Sequence, residues 1–383
     1  MKGKRFILQG MAALLLLTVL SGCWDYRRLD QTAMVMGIAV DPVGDKGYQV
    51  TFQLPSMPGV LSGTGAGGAG GGESPPAPTM NIAVTALSLG NAISDAQERL
   101  DRTLFFGNLQ SVVINEKLKG KEVQECLTEL LRNSRIPNTA SLFISRGSAR
   151  GIFESKEIQD EPVAIFLRNS VRDVKSRGFE KPISLWVFFR NVYGLGINPV
   201  VPRVYSNKEG KLIFEGLGLF KEYQWQTDLT RKQARGYNWV SGNVEKMQLM
   251  IQDGGKPIVI EISRDKAKMS WQKINGRYHL YADIKADGIL VQNPSMGSSM
   301  VDQKVTHMIQ RRAGEEIKQE TLSTFKIFQK LGVDPYGYGR MVLVSNPTLF
   351  RKDLLGSEWQ SKFSDSVFHV SVHMRLRGKG ELM

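Results

Sequence analysis

A chain of 383 residues with 42% hydrophobic and 23% charged side chains has the composition of a folded globular protein, which excludes a disordered or fibrous one. Its length exceeds what a single hydrophobic core commonly fills, so two or three domains are expected. A formal net charge of +13 suits an anionic membrane surface, while the lack of any basic run interleaved with aromatics argues against nucleic acid as a partner.

The chain begins with Lys2, Lys4 and Arg5, continues as an apolar run from Phe6 to Leu20 and closes on Leu20-Ser21-Gly22-Cys23. A basic start, an apolar core and a small-residue cleavage zone define a secretory leader, here residues 1–22. The run is shorter than the roughly 20 residues a spanning helix needs. Leu-Ser-Gly-Cys resembles the lipobox of bacterial lipoproteins, in which the Cys thiol is acylated and becomes the new N-terminus. Cys23 is therefore the expected lipidation site. Two or more acyl chains suffice to hold a protein stably on a bilayer. The only other cysteine, Cys126, is then left without a disulfide partner. It sits at helical spacing with Val123, Leu127, Leu130 and Leu131, as a small core residue does.

Past Cys23, Trp24-Asp25-Tyr26-Arg27-Arg28 suits either the membrane–water interface or a structured lead into the first strand. Thr32 to Val40 reads as a buried strand ending at an Asp41-Pro42 turn, and Tyr48 to Leu54 as its hairpin partner. Residues 59–78 form a Gly- and Pro-rich flexible loop. Its literal GxGxxG lacks the strand before it and the helix after it that a nucleotide fingerprint requires. Strands at Met80–Ala86, Asn108–Ile114 and Thr139–Ser145 alternate with helices carrying Leu89 to Leu100 and Val123 to Leu131. This pattern predicts a βα-alternating mixed sheet over 23–205, with a further division near 150. Two more helices are expected, Pro162–Val174 and Ile183–Val192, the second apolar nearly all round and so packed between layers.

Pro199, Pro202 and Asn207-Lys208-Glu209-Gly210 mark a change of character, placing a C-terminal α+β domain at 206–383. Its expected elements are a strand at Leu212–Phe220, a helix at Leu229–Trp239 and a meander over Glu245–Ile251, Pro257–Arg264, Ala267–Ile274 and Arg277–Leu290. Asn275-Gly276 is a strong hairpin signal within it. A long helix, Asp302–Leu331, carries a stripe of Val305, Ile309, Ala313, Ile317, Thr321, Phe325, Phe328 and Leu331. The last strand turns Phe368 to Leu376 inward on alternate positions, leaving His369, Ser371, His373 and Arg375 outside. The fold class is thus mixed α/β and α+β, multidomain, with an antiparallel meander packed on a long helix.

Chemistry is hard to find in this pattern. The four histidines form no HExxH or other ligand cluster, and His369 and His373 lie about 13 Å apart along a strand, too far to share a zinc ion. No GxSxG elbow or SxxK occurs, and the acidic residues are scattered. No catalytic residue, metal ligand or cofactor is assigned.

From Cys23 to Asp41 the sequence CWDYRRLDQTAMVMGIAVD resembles the mature N-terminus of the C subunits of bacterial spore germinant receptors, the Ger(x)C family. Cys23, Trp24, Asp25, Arg27 and Gly37 match its pattern, while Tyr26 and Arg28 depart from it. Leu104-Phe105-Phe106-Gly107 is similar to the family's LFFG step, Trp239 with Gly242 to its WxxG helix end, and Asp334-Pro335-Tyr336-Gly337-Tyr338-Gly339 to its DxFGFG turn. The resemblance implies a non-enzymatic lipoprotein on the outer face of the spore inner membrane. Its partners would be a multi-pass A subunit and a transporter-like B subunit, and the bilayer would be reached through acylated Cys23. Two other readings share the anchor. A solute-binding lipoprotein of an importer would need two similar lobes, and a secreted envelope hydrolase would need a visible nucleophile or metal set.

Overall fold

The computed structural model of the chain describes Gly3 and residues 31–44, 47–56, 79–155, 161–172, 181–242, 244, 246–292, 303–354 and 358–377. The expected leader apart from Gly3, the motif residues Cys23, Trp24, Asp25 and Arg27, and the whole Gly- and Pro-rich loop at 59–78 lie outside these.

The first part of the chain runs through β1 (Thr32–Met34), β2 (Gly37–Val43), β3 (Gly47–Pro55), β4 (Thr79–Ala86), α1 (Leu89–Glu98), β5 (Thr103–Phe105), β6 (Ser111–Asn115), α2 (Gly120–Arg132) and β7 (Ser141–Ser145). It continues with α3 (Ala149–Phe153), α4 (Val163–Arg172), α5 (Leu185–Tyr193), β8 (Val200–Ser206), β9 (Leu212–Lys221) and β10 (Gln224–Leu229). These build an eight-stranded mixed sheet of order β10-β9-β8-β7-β6-β2-β3-β4. β2, β6, β7 and β8 are parallel, and hairpins flank them on both sides. Helices α1, α2 and α5 cover one face through Leu89, Ala92, Leu127, Leu130 and Phe188. Helices α3 and α4 cover the other through Ile152, Phe153 and Leu167. With both faces covered, the central strands β6 and β7 are buried at every position, as expected of parallel strands inside an α/β layer. Cys126 is buried on α2 as a free thiol, and burial pushes that thiol up to about 12.

The sheet passes through 205/206 without a break, since Val200–Ser206 of β8 pairs in antiparallel fashion with Leu212–Leu219 of β9, with one register shift at Arg203/Val204. Beyond β10 come α6 (Arg231–Ser241), β11 (Met247–Asp253), β12 (Lys256–Ile274), β13 (Arg277–Gln292), α7 (Gln303–Leu331), α8 (Tyr338–Ser345), α9 (Pro347–Leu354), α10 (Glu358–Ser364) and β14 (Val367–Leu376). A second sheet of order β11-β12-β13-β14 packs one face on α6 and α7. There Ile309, Ala313 and Ile317 of the long helix meet Ile260, Ile262, Ala282 and Ile284. Helix α6 starts in a capping box between Thr230 and Gln233 and ends on Gly242, whose φ of 66° supplies the left-handed C-cap. It also joins the two sheets, because Ala234 and Tyr237 share a core with Leu217 and Leu219 of β9 and with Phe325 and Phe328 of α7.

The mixed, multidomain α+β fold expected from the sequence is present, with local differences. Thr32 to Val40 is two strands, and β2 runs on through Asp41-Pro42 to Val43. The proline is tolerated because β6 pairs β2 only as far as Val40, so no partner on that side needs the missing N–H. The strand expected from Asn108 starts only at Ser111, and a separate short β5 pairs in parallel with β1. The two strands expected at Pro257–Arg264 and Ala267–Ile274 are one strand with an irregularity between Ile262 and Arg264. The polar break in the pattern is absorbed because buried Asp265 accepts the Val244 N–H at 2.8 Å. The last sheet is not wholly antiparallel, since β14 returns along α7 to lie parallel to β13. Helix α5 is one-sided rather than apolar all round, burying Leu185, Phe188 and Phe189 while Trp186 and Tyr193 are exposed.

Candidate functional site

The motif residues within the described chain fall into three structural clusters. Gly37 opens β2 where the ring of Phe153 presses on the backbone; a Cβ there would lie 2.5 Å from Phe153 Cζ and 2.9 Å from the Ala164 methyl. Phe106 is buried against Phe52 in an edge-to-face contact. Phe105 folds its ring over Gly107, whose missing Cβ would sit 2.4 Å from Phe105 Cζ. Gly37 thus lets α3 and α4 close on β2, while Phe106 ties the segment after β5 to β3.

Trp239 belongs to a buried polar cluster on the face of α6 turned toward α7. Its indole N–H donates to Glu320 Oε2 at 3.0 Å. Arg235, one turn earlier, holds the same carboxylate in a fork, with Nε at 2.9 Å from Oε2 and Nη2 against Oε1. Glu320 is fully buried. The sequence does carry a sign of it, since Glu320 falls three residues after Ile317 and inside the apolar stripe, yet the stripe is read for its hydrophobic members.

Gly337 and Gly339 surround Asp334, the centre of the third cluster. The Asp334 carboxylate accepts the N–H of Gly337 at 2.9 Å, the N–H of Gly339 at 2.8 Å and the indole N–H of Trp359 at 3.1 Å. Burial pushes this carboxyl up to about 7, against the pull of those donors. Asn198 clamps the same turn from the other sheet: its side chain accepts the Asp334 N–H at 2.8 Å, and its own N–H donates to the Asp334 carbonyl at 2.9 Å. Gly337 is there for its φ of 80°. Gly339 is there for space, because a Cβ would lie 2.5 Å from the Trp359 ring and 2.6 Å from Gly196 Cα. Gly339→Ala should accordingly cost about 2–3 kcal/mol in urea unfolding, since backbone and an indole must both move.

Apart from Phe105, which is exposed, these clusters are packing and hydrogen-bonding devices, and a second set of solvent-facing residues lies elsewhere. Among the described residues, no helix covers the face of the second sheet opposite α7. Cross-strand rows on β12, β13 and β14 run Ser270–Tyr281–His369, Lys268–Asp283–Ser371, Lys266–Lys285–His373 and Arg264–Asp287–Arg375. The outward positions expected on the last strand are therefore the ones observed. The first two rows line a groove of about 450 Å³, and the last two a second of about 380 Å³. Asp283 accepts from Ser371 Oγ at 2.8 Å and faces His373 Nε2 at 3.3 Å. Asp287 binds Arg375 at 3.2 Å and Arg377 at 2.6 Å. Lys266, Lys268 and Lys285 leave the face basic, as suits an anionic or hydrogen-bonding surface.

His369 does not approach His373 but meets His279, with Nδ1 of His279 3.0 Å from Nε2 of His369. The pair lies 90 residues apart in sequence, which no local spacing could reveal. Among the described residues no group of three or more His, Cys, Asp or Glu side chains is placed to hold a metal ion, and no helix is long and apolar enough to cross a membrane.

The described residues thus define a mixed α+β protein with two large sheets and a short two-stranded one, packed motif clusters and an open polar sheet face. Residues 25–205 match the family described as spore germination protein N-terminal domain, and residues 215–380 match the C-terminal family described as spore germination B3/GerAC like. The chain belongs to the Ger(x)C family of spore germination proteins. It is 27% identical to the putative spore germination protein YfkR of Bacillus subtilis, over 96% of this chain and 95% of that protein. It is 23% identical to spore germination protein KC of the same organism, over 92% and 91% of the two chains. The crystal structure of the GerBC protein shares the fold with a TM-score of 0.57 at 17% identity, covering 92% of this chain and all of that one.

Proposed function

We propose that this protein is the lipid-anchored, non-enzymatic C subunit of a spore germinant receptor, working with membrane A and B subunits at the outer face of the spore inner membrane. The observation that carries this reading is the end-to-end match to spore germination proteins, 96% of this chain against 95% of the relative. Support comes from the lipobox-like Leu20-Ser21-Gly22-Cys23, which supplies an anchor that none of the described helices does. The motif residues support it too. Gly37, Phe106, Gly107, Trp239, Gly337 and Gly339 are spent on packing and turns, as expected of a protein that presents surfaces rather than performs chemistry.

The test is a deletion strain complemented with wild-type protein or with Cys23→Ala. Deletion is expected to abolish nutrient-triggered germination while sporulation stays normal, and the Cys23→Ala protein should leave the membrane fraction. Unchanged germination in the deletion strain, with no paralogue compensating, would overturn the receptor reading. Full membrane retention of Cys23→Ala would overturn the anchor.

A further inference from the structure

The parallel strands β2, β6, β7 and β8 all start at one end of the eight-stranded sheet, where Gly37, Ser111 and Ser141 stand in register. The chain enters the fold at this end through Thr32 of β1, and Val35 N–H bonds to the Phe105 carbonyl there. Helix α5 also starts there, with the Leu185 and Trp186 N–H groups bonded to the carbonyls of Ala140 and Asn138. The turn between β9 and β10 closes the same end, tied by Phe220 N–H to the Pro199 carbonyl and by the contact of Tyr223 with Tyr193.

The outer side of this end is apolar and basic. Trp186, Arg190 and Tyr193 are spaced i, i+4 and i+7 on α5 and so form one stripe pointing away from the core. Trp186 is 53% exposed, Tyr193 63%, Leu195 just beyond the helix 49%, and Phe105 41%. Arg135, after the C-terminus of α2, and Arg190 are exposed, and among the described residues no carboxylate pairs with either. Glu222, in the turn between β9 and β10 at this end, is an exposed acid. Trp and Tyr are the side chains that settle at headgroup depth, with an apolar body and a polar tip.

We infer that this end of the sheet is the face that lies on the bilayer, with Trp186 and Tyr193 in the interface and Arg135 and Arg190 over anionic headgroups. The inference rests on the anchor proposed at Cys23 and names the surface which that anchor brings down. Eight residues lie between Cys23 and Thr32, and at full extension the two positions are at most about 30 Å apart. Thr32, where the chain enters β1, is therefore held within that reach of the membrane, and Gly37 at the strand ends follows five residues on. The strands rise away from it, β2 by about 23 Å for its seven residues. A lipid surface is favoured over a protein partner because the tether delivers this end to it whatever else is bound, and because the patch pairs aromatics with unpaired cations.

The test uses the mature chain with Cys23→Ala, sedimented with vesicles of phosphatidylglycerol and phosphatidylcholine. Binding to anionic vesicles is expected, with Trp186 quenched by bromine-labelled lipid. Trp186→Ser with Tyr193→Ser should weaken partitioning roughly tenfold, and Arg135→Glu with Arg190→Glu should remove its salt dependence. Urea unfolding of these surface variants, unchanged from wild type, serves as the folding control. Three results would overturn the inference: no vesicle binding by the unlipidated chain, binding lost to Lys266→Glu with Lys285→Glu but kept in the aromatic variants, or aromatic variants that block germination while binding vesicles normally. The last would place a protein partner on this end. Because the vesicle assay needs neither acylation nor germination, its failure is distinguishable from failure of the receptor reading.

Discussion

Glu320→Ala is expected to destabilise the folded chain by about 3–5 kcal/mol, read as a lower urea midpoint with an unchanged slope. The size follows from what the substitution leaves behind. Arg235 loses both members of its fork and Trp239 loses its acceptor, in an interface between α6 and α7 where Glu320 is fully buried and Arg235 three-quarters buried. The larger part of that loss is the uncompensated Arg235 charge, not the intrinsic worth of the pair. Removing both, as Arg235→Met with Glu320→Leu, should therefore recover most of the stability. A double variant as unstable as Glu320→Ala alone would show that the pair orders the helices in a way apolar packing cannot replace.

Asp334→Ala should cost a comparable amount, about 3–4 kcal/mol, for a different reason. Three donors from Gly337, Gly339 and Trp359 converge on one carboxylate, and each buried donor left unmatched costs about 1–3 kcal/mol before relaxation. Asp334→Asn keeps the shape but turns an amide N–H₂ toward a donor, so a smaller loss of about 1–2 kcal/mol is expected. The effect should be felt in both sheets, since Asn198, bonded to Asp334, precedes β8. Hydrogen exchange at β8 and β9 that stays as slow as wild type in Asp334→Ala would refute this coupling.

Much of the fold is legible in the pattern of single elements. The stripe on α7, the alternation on β14, the hairpin at Asn275-Gly276 and the βα order of the first part each follow from a period along one segment. Where the pattern misleads, a tertiary partner explains it. Asp41-Pro42 reads as a turn, yet Asp41 is a buried acceptor for the N–H groups of Ala149 and Arg150 at 2.7 and 2.8 Å and keeps β2 going. Helix α5 reads as apolar nearly all round because Trp186 counts as hydrophobic, and only the tertiary structure shows it facing out, with Tyr193 beyond the expected helix end exposed as well. The motif glycines are visible, but their reasons differ. Gly337 has a conformational one, whereas Gly37, Gly107 and Gly339 answer to the rings of Phe153, Phe105 and Trp359.

By itself the sequence carries the signals from which a leader and lipobox are expected, and it determined the types of nearly all described elements, the outward side of the last strand and the family motifs. These are local properties, set by composition and by periods of 2 and 3.6 residues. The tertiary structure alone decided which polar groups meet: Trp359 with Asp334, 25 residues apart, Arg235 with Glu320, 85 apart, and His279 with His369, 90 apart. It alone also gathered Phe105, Trp186 and Tyr193 at the end where the chain enters. The physical reason is common to all of these. A residue's own period selects the side it faces, but what stands opposite is selected by how whole elements pack, and nothing in the spacing along one element records that.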